Sequence, residues 1–211
     1  MVRNQLPDEE TVAIPDLSVE ERMELPRGAT AVVVVDMQND FVRPDGALYV
    51  EAAQATVQPI GRLLKRARAH GVPIVYTQDT HTEDDREFEI WPRHCVEGTT
   101  GWEIVSDLAP RDDDMVVKKN RYDGFYGTSL EHYLSHVWQI ESLVIVGTVA
   151  NICVGQTAAS AGLRWYEVVT PADGISALTD FDQAAALRQI SMLYNGKIVA
   201  HVDDIEFAGP R

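Results

Sequence analysis

The sequence predicts an α/β protein, a three-layer α/β/α sandwich built on a six-stranded, mainly parallel sheet. Three observations carry this prediction. β-Branched runs alternate with segments of helical period six times along the chain. The first run, AVVVV (31–35), is continuously apolar, as in a strand buried on both faces. The chain has 211 residues, 45% of them hydrophobic, enough for one core of this kind.

The elements follow in order. AVVVVD (31–36) is the first strand. Over 55–70, Val57, Ile60, Leu63, Leu64 and Ala67 recur at helical spacing, and Gly71 suits the stop. PIVYTQ (73–78) is a strand, and the stretch from Asp79 to Gly101 reads as irregular. A helix is expected around 101–109, a strand at MVVK (115–118) and a helix over 127–138, with Leu130, Tyr133, Leu134 and Val137 on its apolar face. LVIVG (143–147) is a strand, 152–164 a helix, EVVT (167–170) a strand, 180–194 a helix and KIVAH (197–201) the last strand.

Ahead of a domain over 29–211, residues 1–28 are expected to form an N-terminal extension. It reads either as a tail or as an arm that docks on a neighbouring subunit through Val12, Ile14, Leu17 and Leu25. This segment has no apolar stretch like that of a secretory leader, so a cytoplasmic location is expected. A five-residue apolar run falls far short of the roughly 20 residues that cross a bilayer. Two cysteines exclude a disulfide scaffold. With 18 basic against 33 acidic residues the net charge is −15, which argues against nucleic acid and anionic membranes as partners.

In parallel sheets ligands gather beyond the C-terminal strand ends, near a switch in strand order. Three strand ends here carry reactive groups. Asp36 follows five apolar residues, a costly place for a carboxylate without partners. Asp36 and Asp40 could equally cap the loop. Lys118 and Lys119 end another strand; such pairs are usually solvated, but one turned inward would set a cation beside a buried carboxylate. Cys153 opens a helix of small residues, where free N–H groups and the macrodipole favour a thiolate and could stabilise an oxyanion. A buried structural thiol is the plainer alternative. Taken together, the three supply a base, an orienting cation and a nucleophile.

The irregular stretch holds a second set. Asp79 and His81, two apart on extended chain, can face one way, and His94 follows thirteen residues later. One carboxylate and two imidazoles can hold a divalent ion with positions left open, although an acidic loop with two histidines can also simply be solvated. Cys95 is read as structural.

Four segments, VVDMQNDF, WPRHCVEGTTG, KNRYDGFYGT and VGTVANICVGQTA, stand in this order within about residues 30–202. In them the chain resembles the isochorismatase-like cysteine hydrolases, which include nicotinamidases, N-carbamoylsarcosine amidases, ureidoacrylate amidohydrolases and biuret hydrolases. The resemblance implies the isochorismatase-like hydrolase fold and a catalytic triad of Asp36, Lys119 and Cys153. Lys119 rather than Lys118 fits the family's Lys-x-Arg-Tyr-x-x-Phe pattern. It also implies a cis peptide between Thr148 and Val149, with the N–H groups of Val149 and Cys153 as oxyanion hole. One departure is Ala150, where many members carry Thr.

The same resemblance implies a divalent metal, Zn²⁺ or a similar ion, on Asp79, His81 and His94, and no organic cofactor. Glu87 stands in the region where many relatives have a further His, and is a fourth candidate. Phe41, Trp91 and Tyr122 match pocket-lining positions of nicotinamidases, though each could be ordinary core. The Lys119–Tyr122 connection is shorter than in nicotinamidases and looks like the carbamoyl-amidase and ureidoacrylate branches. The expected activity is hydrolysis of a small primary amide to acid and ammonia through a Cys thioester, nicotinamide first and a carbamoyl or ureido compound second. Less favoured are an isochorismatase-type reaction, a non-catalytic binding module and a redox role pairing Cys153 with Cys95. A small-molecule substrate and a homo-oligomer, dimer or tetramer, are expected.

Overall fold

A computed structural model describes residues 16–209. Strand β1 (Met23–Pro26) precedes β2 (Thr30–Val35), a single helical turn α1 (Asn39–Val42) and the long helix α2 (Ala53–Ala69). Strands β3 (Ile74–Asp79) and β4 (Met115–Lys119) bracket the 80–114 loop, and β5 (Ser142–Thr148) leads to α3 (Gly155–Leu163). Then come β6 (Glu167–Pro171), β7 (Ile175–Ser176), α4 (Asp180–Tyr194), β8 (Lys197–Val199) and β9 (Ile205–Ala208).

The sheet runs β4-β3-β2-β5-β6-β8, six strands and all parallel, with the two-residue β7 added at the end of β5. This is the expected three-layer α/β architecture. Every residue of β2, β3 and β5 is buried, so both sheet faces are covered, as the unbroken valine run requires. On α2 the residues Ile60, Leu63, Leu64 and Ala67 turn inward. Its end is closed by Gly71 at φ +68°, with the Val72 N–H on the Ala67 carbonyl.

Strand order reverses between β2 and β5, which opens the crevice at their C-terminal ends. Gly147 makes this junction possible. Its φ is +120°, and a Cβ there would lie 2.1 Å from the Val35 carbonyl oxygen. Only glycine lets β5 leave the sheet this close to β2.

Several expectations change. The helix expected around 101–109 is only a 3₁₀ turn at Ser106–Leu108, held by loop hydrogen bonds such as Val105 N–H to Met37. Over 127–138 only the wide turn His132–Val137 and the residues just before it are helical. Leu130 and Leu134 are buried, but Tyr133 and Val137 face outward. The last strand stops at Val199 and is followed by β9, which the pattern did not suggest. β9 pairs in parallel with β1 inside the segment expected to be an extension, and Leu25 is buried in this chain's own core. Leu17 also packs against that core. Val12 and Ile14 lie outside the described residues.

Candidate active site

Four strand ends meet at the crevice. Asp36 follows β2 directly and takes a left-handed turn, φ +51°, with its carboxylate fully buried. Asp79 ends β3 and Lys119 ends β4 as strand partners. Beyond β5, the Thr148–Val149 peptide is cis, as expected, and a wide turn at Ala150–Val154 carries Cys153 to the start of α3.

Lys119 is the hub. Its Nζ lies 2.8 Å from Asp36 Oδ2, 3.0 Å from Asp79 Oδ1 and 3.7 Å from Cys153 Sγ, with its side chain wholly buried. Lys118 points the other way, half exposed and paired with Glu97. The alternation of a strand decides this, since neighbours face opposite sides. Thr77 Oγ1 donates to Asp36 Oδ1 at 2.7 Å. Asp36, Lys119 and Cys153 are therefore brought together.

Their electrostatics depart from one expectation. Burial pushes the Cys153 thiol well above its ordinary value; Lys119 pulls against this, while Asp36 and Asp79 add to it. The helix start and one lysine do not outweigh burial beside two carboxylates. Burial also raises Asp36, against the opposing pull of Lys119. Lys119 is held charged despite burial by the carboxylates of Asp36 and Asp79.

The second set converges on Asp79. His81 Nε2 lies 3.0 Å and His94 Nε2 3.4 Å from Asp79 Oδ2. Each ring is oriented from behind: His81 Nδ1 by Asp85 at 3.0 Å, His94 Nδ1 by the Pro92 carbonyl at 2.7 Å. Burial works against charge on His81, but hydrogen bonds to Asp79 and Asp85 raise it to about 9. Burial would raise Asp79, yet Lys119 and the two imidazoles hold it well below the usual carboxylate range.

Glu87 completes the group. One ligand atom from each of Asp79, His81, Glu87 and His94 lies within 4.8 Å of the others, and all four residues are buried. Glu87 Oε2 is buried with no hydrogen-bond donor, and the nearest cation is Arg121 at 3.7 Å. A buried carboxylate oxygen facing two imidazoles and a second carboxylate suits a divalent ion, and the donor set fits one.

A cavity of about 480 Å³, open mouth included, joins the two sets. Phe41, Trp91 and Tyr122 line it, together with Leu48, Val50, Val149, Ile152 and Leu178. Trp91 Nε1 donates to the Tyr122 hydroxyl at 3.0 Å, locking two aromatic walls to each other. Val149 and Cys153 border the same space. Cys95 is buried and outside the cavity lining, and both cysteines are free thiols.

Sequence reasoning missed Thr77 and Asp85, and offered Asp40 only as a loop cap. Asp85 caps the 3₁₀ turn Arg86–Glu89 by accepting the Glu87 N–H while it also orients His81. Asp40 accepts the Cys95 N–H at 2.7 Å, next to His94. Of these, only Asp85, directly before a turn, carried a readable capping signal.

Comparison with known proteins agrees with this geometry. The isochorismatase domain profile matches residues 30–204. The N-carbamoylsarcosine amidase structure from Thermoplasma acidophilum is 34% identical with a TM-score of 0.76, over 85% of this chain and 99% of that one. A pyrazinamidase from Pyrococcus horikoshii, solved in complex with zinc, is 31% identical with a TM-score of 0.76, over 81% and 98%. The ureidoacrylate amidohydrolase of Agrobacterium fabrum is 30% identical over 202 residues, 83% of this chain and 87% of its own length.

Proposed function

The chain belongs to the isochorismatase family and is an amidohydrolase, a cysteine hydrolase of amide C–N bonds, and from that premise we propose that it converts a small, uncharged primary amide, nicotinamide first among candidates, to its acid and ammonia through a thioester on Cys153. The observation that carries this reading is the cavity wall. Away from Asp79, Glu87 and His94 it is mostly aromatic and aliphatic, and among the described residues lining it none is Lys or Arg. A carboxylate-bearing substrate would find no Lys or Arg partner on that wall, whereas a flat neutral ring suits Phe41, Trp91 and Tyr122.

The chemistry follows from the groups in reach. As Cys153 Sγ attacks the amide carbon, its proton passes to Asp36, whose raised basicity suits the transfer. The N–H groups of Val149 and Cys153 receive the negative charge that develops on the carbonyl oxygen. Asp36 then returns the proton to the departing nitrogen, and ammonia leaves. Water, deprotonated by Asp36, attacks the thioester and frees the acid and the thiol. Lys119 holds Asp36 in place throughout and stabilises charge on sulfur during attack.

Asp79, His81, His94 and Glu87 would hold a divalent ion, zinc first, at the cavity floor. Such an ion would offer a Lewis-acid position to a ring nitrogen or other donor of the substrate and would offset the negative charge of Asp79.

A carbamoyl or ureido amide is the second reading, favoured by the short Lys119–Tyr122 connection and the 34% identity to an N-carbamoylsarcosine amidase. An ammonia-release screen decides between them. Nicotinamide and pyrazinamide are expected to turn over faster than N-carbamoylsarcosine, ureidoacrylate and maleamate. Faster turnover of a carboxylate-bearing compound would reverse the order.

A further inference from the structure

β3 outlasts its neighbour. The turn at Asp36 takes β2 out of the sheet after Val35, which pairs with Thr77. β3 continues to Asp79, still paired on its far side with Lys118 and Lys119. Successive residues of a strand present their N–H and C=O groups to opposite neighbours. The Thr77 carbonyl receives the Asp36 N–H at 3.2 Å, so Asp79 presents both backbone groups to the edge that β2 has left. Left unpaired, each would be a buried polar group with no hydrogen-bond partner.

The side chain of Gln38 takes the missing strand's place. Its Oε1 accepts the Asp79 N–H at 2.8 Å, and its Nε2 donates to the Asp79 carbonyl at 2.8 Å. The same Nε2 donates to the Trp102 carbonyl at 2.8 Å. Only this orientation of the amide satisfies all three groups. Gln38 is fully buried, so water does not compete for them.

Asp79 is also where the two halves of the site touch, with Lys119 on Oδ1 and both imidazoles on Oδ2. We propose that Gln38 is a positioning residue that, as a one-residue surrogate strand, fixes the backbone of Asp79 and so sets both metal affinity and the Asp79–Lys119 contact. This rests on the reading of Asp79 as a metal ligand. Gln38 itself touches neither the reacting atoms nor the ligand atoms. Groups behind metal ligands commonly tune affinity by roughly 10–100-fold.

Gln78 provides the control. Its Nε2 donates to the same Trp102 carbonyl at 2.9 Å but leaves the Asp79 backbone alone. Zinc affinity should be measured by chelator competition in the wild type, Gln38→Met, Gln38→Asn and Gln78→Met. Both Gln38 variants are expected to bind zinc roughly 10–100-fold more weakly, with Gln78→Met close to wild type. A general packing defect would lower stability in all three without this split. If Gln38→Met does not fold, Gln38→Asn, which keeps the amide but shortens its reach, carries the measurement. Wild-type affinity in the Gln38 variants, or equal weakening in Gln78→Met, overturns the proposal. A wild-type chain that takes up no zinc overturns the metal reading itself, and this inference with it.

Discussion

Lys119 and Asp79 are partners twice over: they sit opposite each other at the ends of β4 and β3, and their side chains form a buried ion pair of 3.0 Å. Through this pair one lysine serves both the Asp36–Cys153 chemistry and the candidate metal ligands. Pairing at strand ends fixes the distance, because neighbouring strands hold their register.

Lys119 and Lys118 should therefore behave oppositely. Lys119→Ala leaves Asp36 and Asp79 buried without their cation, which should cost roughly 3–5 kcal/mol in stability along with activity. Lys118→Ala, on an exposed pair with Glu97, should cost at most about 1 kcal/mol and leave turnover near normal. Thermal melts and ammonia release on the two variants check this. A dead Lys118 variant beside an active Lys119 variant would contradict the assignment.

Asp36 must be ionised to accept the thiol proton. Asp36→Asn should lower the rate by roughly 10²–10⁴-fold while keeping the shape of the site. Because burial raises Asp36, the acid limb of the kcat/KM profile should lie above the ordinary Asp range. The Thr77 hydroxyl favours the ionised form, so Thr77→Val should move that limb to higher pH. A limb that stays in place or moves down would sink the role given to Asp36.

Metal uptake should compete with a proton. In the metal-free chain His81 is raised to about 9, so binding below that pH displaces its proton. Apparent affinity should climb about tenfold per pH unit up to roughly 9, whereas an ordinary histidine would level off near 6.5. The same raised value stabilises the metal-free fold fully below about 6.5, and that contribution is lost as pH rises through about 9. Chelator competition and melting curves across pH 6–10 test both; a plateau in affinity near neutrality would contradict them.

Much of this was legible in the chain itself. The valine run of β2 declared a buried parallel strand, and Asp36, Lys119 and Cys153 followed strands where such folds place chemistry, while Asp79 read only as the first residue of the loop. The choice of Lys119 over Lys118 came from a resemblance, because two adjacent lysines read alike until the strand's facing is known. The loop defeated pattern reading: a helix was expected at 101–109, but those residues satisfy their backbone through Asn39, Asp40 and Gln38, contacts more than sixty residues distant in sequence. β1 and β9 escaped notice because each is four residues long and finds its partner at the opposite end of the chain. The electrostatics around the thiol were not legible either, since burial beside two carboxylates is a property of the assembled site and not of a motif.

The central claim is that Cys153 carries the acyl group. The direct measurement is intact mass of the enzyme, acid-quenched during turnover of its best amide substrate, followed by peptide mapping. A mass gain equal to the acyl group, located on Cys153 and absent from Cys153→Ala, with no ammonia released by that variant, is the predicted result. A Cys153→Ala protein that keeps most of its turnover, or an adduct mapped to Cys95, would contradict it.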